Sequence, residues 1–139
     1  MQVHIAVIGV LLAALSAILI GMIWYSQPVF GKVWMKMIGT KDKEMKARMG
    51  MATVVLIIVA LITAYVLAYF IVYTHSYTGG GWIAAGAETA LWAWLGLAVT
   101  TIVAHGVFDP RDRMVMYINI GNRLVTLLAM GLIIGAFMH

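Results

Sequence analysis

The chain has 139 residues, of which 64% are hydrophobic and 10% charged, with no cysteine and a formal net charge of +4. Soluble domains are about 45–50% apolar and about 25% charged, so this composition excludes a disordered chain, a nucleic-acid-binding domain and most soluble enzymes. Without cysteine there are no disulfides, thiolate metal sites or cysteine nucleophiles.

A bilayer core about 30 Å thick takes about 20 apolar residues as a helix. Four stretches reach that length, at about 3–24, 51–74, 82–107 and 114–138. Their apolar runs are continuous, not alternating, which predicts helices rather than a barrel. The fold class is therefore all-α: a single four-span integral membrane domain filling 1–139.

The first span has no Lys or Arg before it and exceeds the apolar core of a signal peptide, so it reads as a retained helix. Gly9, Ala13, Ala17 and Gly21 recur every four residues along it, a spacing that lets helices approach closely. The segment at about 28–39 follows. Phe30, Val33, Trp34, Met37 and Ile38 fall on one helical face, Lys32 and Lys36 on the other, and Pro28 stands where a helix starts. This predicts a short amphipathic helix lying in the membrane interface, anchored by Trp24, Tyr25, Phe30, Lys32, Trp34 and Lys36. Such a helix anchors the protein, gates a cavity or docks a partner. Residues 40–48 read as a charged hairpin, in which Thr40, Lys43 and Glu44 could start a further turn.

The second span carries Ala60, Ala64 and Ala68 at the same close-packing interval. Tyr65, Tyr69 and Tyr73 form a second row; Tyr65 and Tyr69 lie deep enough that each hydroxyl needs a partner, in a packing stripe or a polar pocket. Gly79, Gly80 and Gly81 make a flexible turn into the third span.

Two ionisable residues fall inside spans, Glu88 in the third and Arg123 in the fourth. A charge at mid-bilayer costs about 2.5–3.5 kcal/mol on insertion scales. At 1.5 Å per residue the two differ in depth by about 8 Å, which predicts that they approach each other directly or through an intermediary, within a chain or between copies. Asn119, Asn122, Arg123 and Thr126 share one face of the fourth span. Trp92 and Val99, with Leu95 or Gly96, extend from Glu88 as the facing row, and Ser16 and Thr63 offer single hydroxyls. Gly131 and Gly135 complete the fourth span as packing positions.

All loop Lys and Arg lie on one side: Lys32, Lys36, Lys41, Lys43, Lys46 and Arg48 after the first span, Arg111 and Arg113 after the third. The positive-inside rule places those loops in the cytoplasm and both termini outside. His4, His75 and His139 then fall outside as boundary histidines rather than a metal site, and His105 near Asp109 caps or titrates at the inner end. Asp109 to Arg113 reads as a solvated turn. No phosphate loop, zinc-protease pair or Ser-His-Asp set is present, so no enzyme activity, cofactor or metal is expected.

Trp24-Tyr25-Ser26, then Phe30-Gly31-Lys32 and Trp34-Met35, resemble the signature of a family of small four-span bacterial membrane proteins classed as a domain of unknown function. Trp94-Leu95-Gly96, Phe108 before a charged turn, Ile120-Gly121, Arg123-Leu124 and Met130-Gly131 are similar to its later segments. The family places proline directly after Trp-Tyr-Ser; here Gln27 intervenes before Pro28. The resemblance implies a fold and a bacterial inner-membrane location, with no activity to carry over.

Two functions compete. One is a homo-oligomeric transporter or channel for an ion or small solute, using Glu88, Asn119, Asn122, Arg123 and Thr126, with Tyr65, Tyr69 and Trp92 lining the pocket. The other is a non-transporting accessory or lipid-binding protein in which Glu88 and Arg123 are a structural pair. The expected partners are membrane lipid, further copies of the chain, or an unidentified membrane partner, and not nucleic acid.

Overall fold

The computed structural model describes residues 4–38, 42–109 and 113–139. The expectations placed on Thr40, Lys41 and Arg111 fall outside them, as do those on the side chains of Met37, Ile38 and Lys43. The described residues are helical with no strand: α1 Val7–Trp24, a π-helical turn Gln27–Gly31, α2 Lys32–Ile38, α3 Asp42–Thr78, α4 Trp82–Ala93, a second π-helical turn Trp94–Val99, α5 Thr100–Phe108 and α6 Arg113–Phe137. Four helices are long and apolar enough to cross a membrane: Val7–Trp24, Lys46–Thr78, Trp82–Phe108 and Arg113–Phe137.

Three boundaries differ from the reading of the sequence. The first helix starts at Val7. The stretch 42–50 is the first part of α3 rather than one arm of a charged hairpin; Lys, Glu, Met, Ala and Arg are all good helix formers, so nothing stops the helix when the apolar run does. The third span is broken in hydrogen-bond pattern by the wide turn Trp94–Val99.

α1 and α4 each pack against both α3 and α6. Small residues allow the closest approaches. A Cβ on Gly86 would strike the carbonyl of Gly131, and one on Gly131 would strike the carbonyl of Gly86. A Cβ on Gly135 would lie 2.5 Å from the Trp82 carbonyl oxygen. On the other flank of α6, a Cβ on Gly9 would lie 3.0 Å from Phe137 Cβ. With no solvent-exclusion force between helices in lipid, such backbone-to-backbone packing holds the bundle together.

The core is not evenly distributed. Ala13, Ala64, Ala68, Ile71, Ala90 and Ile134 are fully buried. Among the described side chains of α3 burial begins only at Ala60, and every residue from 51 to 59 is exposed. Nothing lies within 4 Å of a Cβ built on Gly21, although Gly9 on the same stripe is tightly enclosed. The bundle is thus closed towards the α3–α4 turn and open towards the end that carries Lys32 and Lys36, here termed the basic end.

Candidate functional site at the basic end of α6

The residues around the first π-helical turn form an aromatic clasp. α1 ends as the Tyr25 amide donates to the Gly21 carbonyl (3.0 Å) and the Ser26 amide to that of Ile23 (3.2 Å). Ser26 is extended, and the chain folds back so that the Gly31 amide donates to the Ser26 carbonyl at 2.8 Å. A Cβ on Gly31 would strike the Tyr25 carbonyl and lie 2.7 Å from Ser26 C, so only glycine fits this return. The return sets Phe30 against Trp24 (ring centroids 4.9 Å apart) and Trp34 against Tyr25 (5.3 Å). Lys32 and Lys36 remain exposed, as the amphipathic pattern of α2 requires.

The clasp grips α6. Trp24 Nε1 donates to the Ile118 carbonyl at 3.2 Å, and the Tyr25 hydroxyl donates to Asn119 Oδ1 at 2.7 Å. From the third span, Trp94 Nε1 donates to the Ile120 carbonyl at 3.0 Å. The two indoles bracket one stretch of α6. Burial pushes the Tyr25 phenol above its ordinary pKa, and the nearby Arg123 guanidinium pulls it back the other way.

Asn119, Asn122, Arg123 and Thr126 occupy one face of this stretch, spanning about 100° at 3.6 residues per turn. Asn122 and Thr126 are only 7% and 6% exposed, yet Asn122 Nδ2 and Thr126 Oγ1 are buried with no hydrogen-bond partner. Leaving a buried polar group unsatisfied costs about 1–3 kcal/mol. Arg123, one residue from Asn122, is exposed. The row therefore runs from a half-buried amide already held by Tyr25, past an exposed guanidinium, to two buried groups with unspent hydrogen-bonding capacity.

Other predicted site residues lie elsewhere. Glu88 and Arg123 are not brought together: both are exposed, and no ion pair joins them within the chain. Glu88 lies two residues from both Gly86 and Ala90, so it points about 160° away from the α6 seam. Trp92 is 67% exposed, and Leu95 and Gly96 are exposed too, so the row from Glu88 does not face the polar row of α6. Trp94 makes that contact instead; its indole could have been suspected as a polar group within a span, but the acceptor is a main-chain carbonyl that leaves no trace in the sequence. Tyr65 and Tyr69 are exposed on α3, edge to face with ring centroids 5.2 Å apart, and pack on each other rather than on the polar row. Ser16 and Thr63 donate to carbonyls of their own helices, those of Ala13 (2.7 Å) and Val59 (2.8 Å).

The histidines are dispersed. His4 and His139 are exposed. His75 stacks on Trp82 with centroids 3.6 Å apart, and Thr89 donates to Thr74 Oγ1 beside it at 2.8 Å. His105 Nδ1 lies 2.8 Å from the Thr101 carbonyl oxygen. Among the described residues no three His, Asp or Glu side chains converge as metal ligands.

These features define a helical protein with four membrane-compatible spans, in which an aromatic clasp and a second indole hold a polar row on the last helix. The chain belongs to the family described as Protein of unknown function (DUF1761), whose model matches residues 8–135. No curated protein matches it, and no solved structure does either.

Proposed function

We propose that the protein is a homo-oligomeric transporter or channel for an ion or small solute in a bacterial inner membrane, with both termini outside and the basic end in the cytoplasm. One observation carries this reading: Asn122 Nδ2 and Thr126 Oγ1 are buried, unpartnered and next to Arg123. Membrane segments keep polar groups away from lipid unless those groups work. An apolar pair at these positions would fill the same space without the penalty. The openness of the basic end, where α3 leaves the bundle, gives a solute access to the row.

Glu88 supports the oligomer. In a single copy its carboxylate projects from a span into lipid, whereas a neighbouring copy offers it a polar partner. The accessory reading, with Glu88 and Arg123 as a structural pair, has no direct ion pair within the chain to support it.

The test is reconstitution into liposomes, with potassium, proton, chloride and phosphate fluxes measured, together with the native mass in lipid nanodiscs. Several copies and a flux lowered at least tenfold by Arg123→Ala are expected. A single copy with no flux above empty liposomes contradicts the proposal.

A further inference from the structure

The polar row has a chemical sign. Tyr25 spends its hydroxyl proton on Asn119 Oδ1, which fixes that amide and leaves its NH2 as a donor for another acceptor. Asn122 offers the unpartnered donor Nδ2, and Thr126 a free hydroxyl. Arg123 adds five N–H donors and a permanent positive charge. Against these the helix itself sets no carboxylate: α6 contains no Asp or Glu, and Glu88 points away from it. A cation would find no anionic ligand on this helix. An anion would find a guanidinium and amide donors at the edge of a low-dielectric interior, where charge-assisted hydrogen bonds are about twice as strong as neutral ones.

We infer that the row Asn119, Asn122, Arg123 and Thr126 binds an oxoanion, a phosphate or carboxylate group, with Tyr25 as a positioning residue that fixes the Asn119 amide. This deepens the reading given under Proposed function by naming the class of ligand. A free solute and the headgroup of an anionic lipid entering through the open basic end present the same phosphate chemistry to the row.

The full chain is purified in a neutral detergent. Inorganic phosphate is titrated while indole emission is followed, since Trp24 and Trp94 bracket the row, with potassium chloride at matched ionic strength as control. In parallel, the chain is exposed to an equal mixture of phosphatidylglycerol and phosphatidylcholine, and retained lipid is read by native mass spectrometry. Saturable phosphate binding identifies a free solute as the source. Selective retention of phosphatidylglycerol identifies a lipid. Either supports the inference, and it is overturned if phosphate behaves as potassium chloride does and the two lipids are retained equally. Asn122→Asp keeps the shape of the side chain but replaces a donor by a negative oxygen; binding weaker by at least tenfold is expected, and unchanged or tighter binding overturns the assignment. Tyr25→Phe should weaken binding several-fold, less than Arg123→Gln. Failure here leaves the transport reading separately testable: a potassium flux with neither phosphate binding nor selective lipid retention refutes the anion site alone, and anion binding without any flux refutes transport alone.

Discussion

Tyr25 donates its hydroxyl proton to Asn119 Oδ1 across 2.7 Å, joining residues 94 apart in sequence. With the Trp24 indole on the Ile118 carbonyl, that bond ties the end of α1 to α6 at the open end of the bundle. Tyr25→Phe keeps the ring against Trp34 and removes only the hydrogen bond. It should cost about 1 kcal/mol, read as a lower melting temperature in detergent; an unchanged melt would show that the bond contributes nothing to holding the two helices.

The same phenol carries a pH signature. Burial raises its pKa, so the folded protein favours the protonated form. The stability this gives is fully present below the ordinary phenol range near 10 and is lost as pH climbs through the raised folded value. In an alkaline titration followed at 295 nm, the difference between wild type and Tyr25→Phe should rise only above the ordinary phenol range. A difference that rises at or below it contradicts the buried, hydrogen-bonded phenol.

The glycines separate into those that hold helices together and those that do not. Gly131→Ala drives a methyl into the Gly86 carbonyl, with backbone on both sides and no flexible side chain to yield. It should destabilise by about 1–3 kcal/mol, the usual range for overpacking. Gly21→Ala places its methyl where nothing lies within 4 Å, and in a helix alanine is the better residue. It should be neutral or stabilising. Equal loss in the two variants, measured by thermal unfolding, would contradict the packing described.

Glu88 should govern assembly rather than folding. Glu88→Gln removes the charge from an exposed face, so the chain should remain folded while its native mass in nanodiscs shifts towards fewer copies. Loss of helical signal with an unchanged copy number would place Glu88 in the fold of the single chain instead.

The spans were legible because apolar runs long enough to cross a bilayer have few alternatives, and the helical course of α2 was legible because Lys32 and Lys36 alternate with Phe30 and Trp34 at helical spacing, whereas the π-helical form of Gln27–Gly31 ahead of it was not. The start of α3 was not, because charged residues that end an apolar run are also good helix formers. The sharing of one face by Asn119, Asn122, Arg123 and Thr126 follows from helical geometry alone. Which partners that face meets does not. Trp24 and Trp94 reach main-chain carbonyls, which every residue offers. The orientation of Glu88 had a signal of its own: Ala85, Gly86, Thr89 and Ala90 mark the small-residue side of α4, and Glu88 lies away from the Gly86–Ala90 edge that meets α6. Charge complementarity favours a contact between Glu88 and Arg123, while close packing at Gly86 and Gly131 turns Glu88 away from α6.

Under the proposed function, Asn122 and Thr126 are kept for a ligand and not for the fold. Thermal unfolding of ligand-free Asn122→Leu and Thr126→Val tests it most directly. Both substitutions keep the number and branching of the side-chain heavy atoms and remove a buried polar group that has no partner, so melting temperatures equal to or above that of the wild type are expected. A loss of 2 kcal/mol or more, about the cost of breaking a buried hydrogen bond and stranding its partner, would contradict it by showing that these side chains are part of what holds the bundle together.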